Sequence, residues 1–348
     1  MRKASESVTA GHPDKVCDQI ADGLVDEYLR RDESASVNIK VLGSNGMVMI
    51  GGEVRSYADF DVALLVKQIY ASVGYQDEIE VFANIQTMSG ETKKGLRTAM
   101  DAVVVNGYAT GETREMLPRA QVYANNLVRR LDDVRKSDPA LQWLLPDGKV
   151  QVIMERDRVL CVTVQAAHLA TVNPSDIQTA ILDRVVTPIT GESGIQVFIN
   201  PLGAFTKAGF ASGAGMSGQK MACDTYGGLI PHGDSSLSGK DPSRVDRAGA
   251  YMARFVARSI VSRGLASSAL VNVVYSPGRA EPVHLEVSGV LEKSRGSKMD
   301  FTNLIKQEFD FRTDAIVERF QLLKPIYQQT AVYGHFGRTG FPWEETVV

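Results

Sequence analysis

The amino-acid sequence predicts an α+β protein of three similar units, each a mostly antiparallel sheet with helices on one face, in a pseudo-threefold repeat. Three observations predict it. The order helix, hairpin, helix, strand recurs three times along 348 residues. Each recurrence opens at a proline: Pro13, Pro118 and Pro242. Each opening helix is followed by two strand segments of alternating apolar residues.

The first unit opens with a helix from Pro13 to Arg31. Strands Ser36–Leu42 and Met47–Val54 follow, joined through Ser44-Asn45-Gly46, a strong hairpin signal. A helix over Tyr57–Val73 and a strand over Ile79–Ile85 complete it. The second unit has a helix over Ala120–Val134 and strands Lys149–Met154 and Val159–Val164, turning at Glu155–Arg158. Its second helix is Pro174–Val186 and its last strand Ile195–Ile199. The third has a helix from Pro242 to Arg263, strands Ala269–Tyr275 and Pro282–Val287, and helical segments from Asp300 to Leu323. In its opening helix Val245, Ala248, Met252, Phe255 and Ser259 form a core-facing stripe. The units are bounded at 1–97, 98–199 and 200–348, with the chain expected to interleave between them. One face of each sheet is left for a partner, which predicts a homodimer or a dimer of dimers.

Hydrophobic residues make up 44% and charged residues 23%, and the formal net charge is −3. That balance gives no general attraction to nucleic acid or membrane, so any basic site must be local. Cys17, Cys161 and Cys223 are odd in number and lack metal spacing, which suits a reducing compartment. Neither a signal peptide nor a membrane span is expected, and the predicted location is cytoplasmic.

Two charged motifs carry the chemistry. Gly11-His12-Pro13-Asp14-Lys15 opens the first helix, and Gly239-Lys240-Asp241-Pro242-Ser243-Arg244-Val245-Asp246-Arg247 opens a later one. A proline fits the first helical turn, where its missing N–H costs nothing. A helix start attracts phosphate, and His, Lys and Arg strengthen that attraction. Aspartates fit there if a divalent cation lies between carboxylate and phosphate oxygens. The pair reads as a polyphosphate–magnesium site drawn from two distant parts of the chain. The equivalent stretch of the second unit, Gly111 to Arg119, is acidic and lacks that character.

Residues 200–240 are rich in glycine and small polar residues, with Lys207, Lys220, Asp224 and Lys240 interspersed. So long an irregular stretch points to function. Gly213-Ala214-Gly215-Met216-Ser217-Gly218 fits the spacing of a dinucleotide-binding turn, but no strand immediately precedes it and no long helix follows. Gly218-Gln219-Lys220 and Gly239-Lys240-Asp241 both miss the Walker A pattern, which excludes a P-loop enzyme.

Several blocks resemble the S-adenosylmethionine synthetase (methionine adenosyltransferase) family. They are Ser5-Glu6-Ser7-Val8 through Lys15, Gly51-Gly52-Glu53, Gly107-Tyr108-Ala109-Thr110, Asp224-Thr225-Tyr226-Gly227-Gly228, Ser238 to Arg247, Tyr333 to Arg338, and Phe341-Pro342-Trp343-Glu344. The resemblance implies formation of S-adenosylmethionine from ATP and methionine, with the triphosphate then hydrolysed to pyrophosphate and phosphate. It implies that His12 lies near the leaving oxygen, and that Lys149, Lys220, Lys240 and Arg244 hold the triphosphate. Asp101, Asp147 and Phe205 are implied at the ATP site, and Glu53, Gln86 and Arg244 at the methionine site. Asp14 and Asp246 would bind Mg2+. The resemblance further implies an active site at a subunit boundary, with His12 and Asp14 facing Lys220 and Lys240 across it.

The chain departs from the family pattern at several positions. Lys40 stands where a glutamate helps bind K+, so its ammonium is expected in the ion's place. Ala204 and Gln219 stand where the family has cations of the triphosphate clamp, Gly213 where it has an aspartate that contacts methionine and the nucleotide, and Met88 where it has a glutamine that contacts methionine. The lid loop after Ser89-Gly90-Glu91 is short, and Thr98 to Val103 keeps only Asp101 of a family block. Three readings stay open on these residues: an active methionine adenosyltransferase, a related transferase or triphosphatase with another amino-acid substrate, and a non-catalytic nucleotide-binding homologue.

Overall fold

A computed structural model describes residues 2–88, 98–191, 194–233, 235–290 and 300–345. Its strands are β1 (Arg2–Val8), β2 (Ser36–Ser44), β3 (Met47–Arg55), β4 (Glu80–Thr87), β5 (Val103–Thr110), β6 (Leu144–Glu155), β7 (Arg158–His168), β8 (Gln196–Ile199), β9 (Gly215–Met216), β10 (Ser268–Tyr275) and β11 (His284–Val290). The helices are α1 (Pro13–Arg31), α2 (Val62–Val73), α3 (Arg119–Ser137), α4 (Pro174–Ile181), α5 (Thr187–Thr190), α6 (Met221–Asp224), α7 (Val245–Ser262), α8 (Phe301–Glu308) and α9 (Thr313–Phe320). No described helix is long and apolar enough to cross a membrane.

The three-unit α+β architecture is borne out, and the sheets reveal how the units interlock. Their strand orders are β9-β2-β3-β4, β1-β6-β7-β8 and β5-β10-β11. In each sheet the hairpin strands are antiparallel, and in the first two the fourth strand runs parallel to its neighbour. Strands β1, β5 and β9 each leave their own unit and pair with the next unit's hairpin, closing a cycle of three exchanges.

Those three exchanged strands are absent from the sequence reading. Strand β1, Arg-Lys-Ala-Ser-Glu-Ser-Val, has too few apolar residues to announce itself, and β9 is two residues long. Strand β5 contains Asn106-Gly107, which reads as a turn. Gly107 is there for close approach instead: a Cβ would stand 1.9 Å from the Ala253 carbonyl carbon of α7.

Two helix starts also differ. Helix α2 begins at Val62, because the Asp61 side chain caps it by accepting the Leu64 N–H. Helix α7 begins at Val245; Pro242 lies before it, in a turn where Asp241 accepts the Ser243 N–H at 2.8 Å. Pro118 is a cap residue, so Pro13 alone of the three occupies a first turn.

One hydrophobic core joins the first and third units, and a second fills the central unit. The face of β9-β2-β3-β4 that carries Lys40 is open. Across it Met216, Leu42, Met49 and Phe82 lie in register and are 41%, 42%, 51% and 50% exposed. Such an aligned apolar row on a monomer surface marks a site of contact.

Candidate active site

Helix α1 organises the site. His12 is its cap: Nδ1 accepts the Asp14 N–H at 3.2 Å, and Pro13 takes the first helical position. Asp14, Asp18, Asp22 and Asp26 follow at intervals of four, so they share one face. All four are buried. Buried carboxylates need donors, and each here receives backbone N–H groups from a distant loop. Asp14 takes the Met216 N–H at 2.9 Å, Asp18 the Gly218 N–H at 2.7 Å and Asp22 the Gly239 N–H at 2.8 Å. Asp26 takes those of Tyr327 and Gln328, both at 2.8 Å. This ladder moors the glycine-rich segment on the helix. The i, i+4 spacing of the aspartates was readable in the sequence, yet only Asp14 was singled out.

The segment bearing Lys240 is held most firmly. Arg247 and Asp22, both fully buried, form a two-pronged ion pair at 2.7 Å. Arg247 also donates to the Lys240 carbonyl at 3.1 Å. Gly239 has φ +79°, and a Cβ there would meet the Ile39 carbonyl oxygen at 2.2 Å. The clamp thus grips the backbone on both sides of Gly239–Lys240 and fixes where the lysine starts.

Four predicted cationic residues each meet a carboxylate. Lys149 Nζ lies 2.8 Å from Glu6, Lys220 Nζ 2.5 Å from Asp14, Lys240 Nζ 2.9 Å from Asp246, and Arg244 Nη2 3.3 Å from Glu53. One chain makes the Asp14–Lys220 contact, because the Asp14 and Asp18 moorings bring residues 216–220 back onto its own α1. Glu6 was not singled out as a site residue; its partner Lys149 comes from β6, beside the exchanged strand β1.

Beyond α1, Lys240, Asn38, Glu53 and Gln86 fall in one row across sheet β9-β2-β3-β4. Lys40, on the same open face, donates to Ser236 Oγ. Burial and the neighbouring Lys240 push its pKa down, while Asp18, Asp246 and Asp22 oppose them. Burial, then Lys220, lowers the His12 pKa to about 4, so its imidazole is neutral near pH 7. With Nδ1 accepting a backbone N–H, the ring proton belongs on Nε2.

The remaining candidates are placed differently. Asp147 is buried, accepts from Gly209 N–H at 2.9 Å and Ser212 Oγ at 3.2 Å, and is driven up to about 6 by burial. Phe205 is pinned through its backbone to His168 and is half-buried. Asp101 is exposed and accepts the Ala102 N–H, while the adjacent Met100 approaches Ser243. Met88 is buried. A side chain at Gly213 would enter open space. Ser89, Gly90 and Glu91 lie outside the described residues.

The carboxylates suit a magnesium ion, a hard cation that takes one or two protein oxygens alongside phosphate and water. Asp246 Oδ1 is buried without an aligned hydrogen bond despite the Lys240 contact, leaving an acceptor unsatisfied. No cluster of three or more acidic, His or Cys ligands occurs among the described residues. The fit therefore requires substrate oxygens to complete the set.

Comparison with known proteins covers nearly the whole chain. Residues 1–93 match the N-terminal domain model of S-adenosylmethionine synthetase, 96–205 the central and 208–345 the C-terminal domain model. An S-adenosylmethionine synthase of Sorangium cellulosum (strain So ce56) is 38% identical over 368 aligned positions, covering 98% of this chain and 87% of that protein. One from Petrotoga mobilis (strain DSM 10674 / SJ95) is 36% identical over 385, covering 98% and 95%.

Proposed function

This chain belongs to the S-adenosylmethionine synthetase family, and from that premise we propose that it forms S-adenosylmethionine from ATP and L-methionine, releasing pyrophosphate and phosphate. The observation that carries the reading is the set of four cation–carboxylate pairs around the start of α1 and the Lys240 loop. Without ligand the charges neutralise one another. A magnesium triphosphate would satisfy both halves: the cationic side chains would hold phosphate oxygens and the carboxylates the metal.

The methionine sulfur attacks the ribose 5′ carbon; the S–C bond forms as the C–O bond to triphosphate breaks. Negative charge grows on the departing oxygen, and oriented donors there supply the catalysis. Neutral His12 donates from Nε2 to that oxygen, a bond that strengthens as charge develops. Lys149, Lys220, Lys240 and Arg244 take the triphosphate charge. Asp14 and Asp246 would hold magnesium, which adds positive charge at the phosphate oxygens. Glu53 and Gln86, adjacent in register, would receive the methionine end. Lys40 takes the role of a monovalent cation: burial and Lys240 lower its pKa, and Asp18, Asp246 and Asp22 oppose them in favour of the ammonium.

The same reading calls for a homodimer. Lys40, Glu53 and Gln86 share the open sheet face with the aligned apolar row, so a second copy covering that row would enclose the methionine end. A non-catalytic homologue is not favoured, because it has no use for a charge-matched cage beside a neutral histidine. Incubation with ATP, magnesium and methionine, resolved by mass, tests the function. Formation of S-adenosylmethionine supports it. Triphosphate cleavage alone, or unchanged ATP, would sink it.

A further inference from the structure

A second cluster of cations lies away from this site. A cavity of about 560 Å3 sits among α3, α7 and the C-terminal tail, lined by Arg114, Arg129, Arg258 and Arg338 together with Tyr333 and Glu344. Arg258 comes twelve residues after Asp246, about 18 Å farther along α7 at 1.5 Å per residue. Glu344 is engaged by Arg254 at 2.8 Å and Arg258 at 3.2 Å. Arg114, Arg129 and Arg338 form no ion pair with any described residue, nor do Glu115 and Asp133 on the rim. Arg129 stacks over the Tyr333 ring at 5.3 Å, and Arg338 over Phe341 at 4.9 Å. Arg129 is held by the Tyr333 ring, and Arg338 by the Phe341 ring and the carbonyls of Gln329 and Val332, while neither guanidinium lies within ion-pair distance of a described carboxylate. Burial, then Arg129, holds Arg338 down at about 10.

We propose that this arginine pocket binds a phosphate-bearing small molecule and couples it to the catalytic loop. Planar guanidinium groups of fixed orientation suit oxyanion recognition. The coupling route is short. Tyr333, under Arg129, donates to Asp132 at 2.8 Å, and the same Asp132 oxygen accepts the Ala10 N–H at 2.9 Å, two residues before His12. The binding half of the proposal stands whether or not the transferase reading does.

Crystals soaked in selenate test it by anomalous scattering. A peak is expected within hydrogen-bond reach of Arg129 and Arg338, besides any in the catalytic cleft. The double variant Arg114→Gln/Arg129→Gln should lose the pocket peak and keep the others, because Arg114 is exposed and Arg129 has no hydrogen bond to a described residue. In solution its affinity for inorganic phosphate at the pocket should fall at least about tenfold, the scale of one lost charged hydrogen bond. Phosphate should slow hydrogen exchange at the Ala10 amide in the unmodified protein more than in the variant. Selenate confined to the cleft, or equal pocket occupancy in the variant, would overturn the site. Equal exchange in both proteins would overturn the coupling.

Discussion

Replacing Lys240 by methionine should lower turnover by about a hundredfold to a thousandfold. Its ammonium is held 2.9 Å from Asp246, and its backbone is gripped by the Asp22–Arg247 clamp and the Asp22 bond to Gly239. A charge so fixed needs no reorganisation when the triphosphate departs. Loss of one oriented donor at a developing anion costs about 3–4 kcal/mol, which is that range in rate. Methionine keeps the apolar stem and removes only the charge. Asp246 then loses its cationic neighbour in a buried setting, so some stability is lost as well. The assay is single-turnover conversion of ATP and methionine at saturating substrate, with melting temperature measured in parallel. A folded variant slowed less than about fivefold would refute the argument that Lys240 carries triphosphate charge.

Other outcomes follow from the same geometry. Asp22→Asn should cost about 3–5 kcal/mol of stability, because it strands a fully buried Arg247; denaturant unfolding checks this, and a loss below about 1 kcal/mol contradicts the clamp. The His12 resonance should titrate near 4 and not near 6.5 in an NMR pH series. Because its folded pKa is depressed, the associated stability is full above about 6.5 and is lost as pH falls toward 4. Activity should be the same in sodium-only and potassium buffers of equal ionic strength, and Lys40→Glu should lower it; several-fold activation of the unmodified protein by potassium would contradict the assignment of Lys40. Gly213→Asp should leave the unfolding free energy within about 1 kcal/mol of the parent, since the side chain enters open space, while lowering KM for methionine; an unchanged KM removes that position from the methionine site.

The fold was legible where local pattern and burial agree. Hairpin β2–β3 turns at Asn45-Gly46, both with positive φ, as the sequence signal requires. Helix α1 begins at Pro13 and α3 one residue after Pro118 for equally local reasons. What stayed hidden was set by distant partners. Strands β1, β5 and β9 exist because another unit's hairpin supplies their hydrogen bonds, which no local alternation records. The site divides the same way. His12, Asp14, Lys240 and Asp246 were picked out because they lie in compact motifs at helix starts. Asp18 and Asp22 were missed because their roles depend on loops some 200 residues away, through the Gly218 and Gly239 amides, and Glu6 because its partner Lys149 lies on β6 of another unit. Pro242 shows the reverse error, a proline that looks helical but belongs to the Asp241 turn.

The central claim is displacement at the ribose 5′ carbon by methionine sulfur, with the triphosphate leaving whole into the cage of Lys149, Lys220, Lys240 and Arg244. ATP labelled with oxygen-18 at the ribose 5′ oxygen tests it most directly. After reaction with methionine and magnesium, all label should appear in the pyrophosphate and phosphate, and none in the nucleoside product. Label retained on the nucleoside would mean that phosphorus was attacked, and would contradict the account.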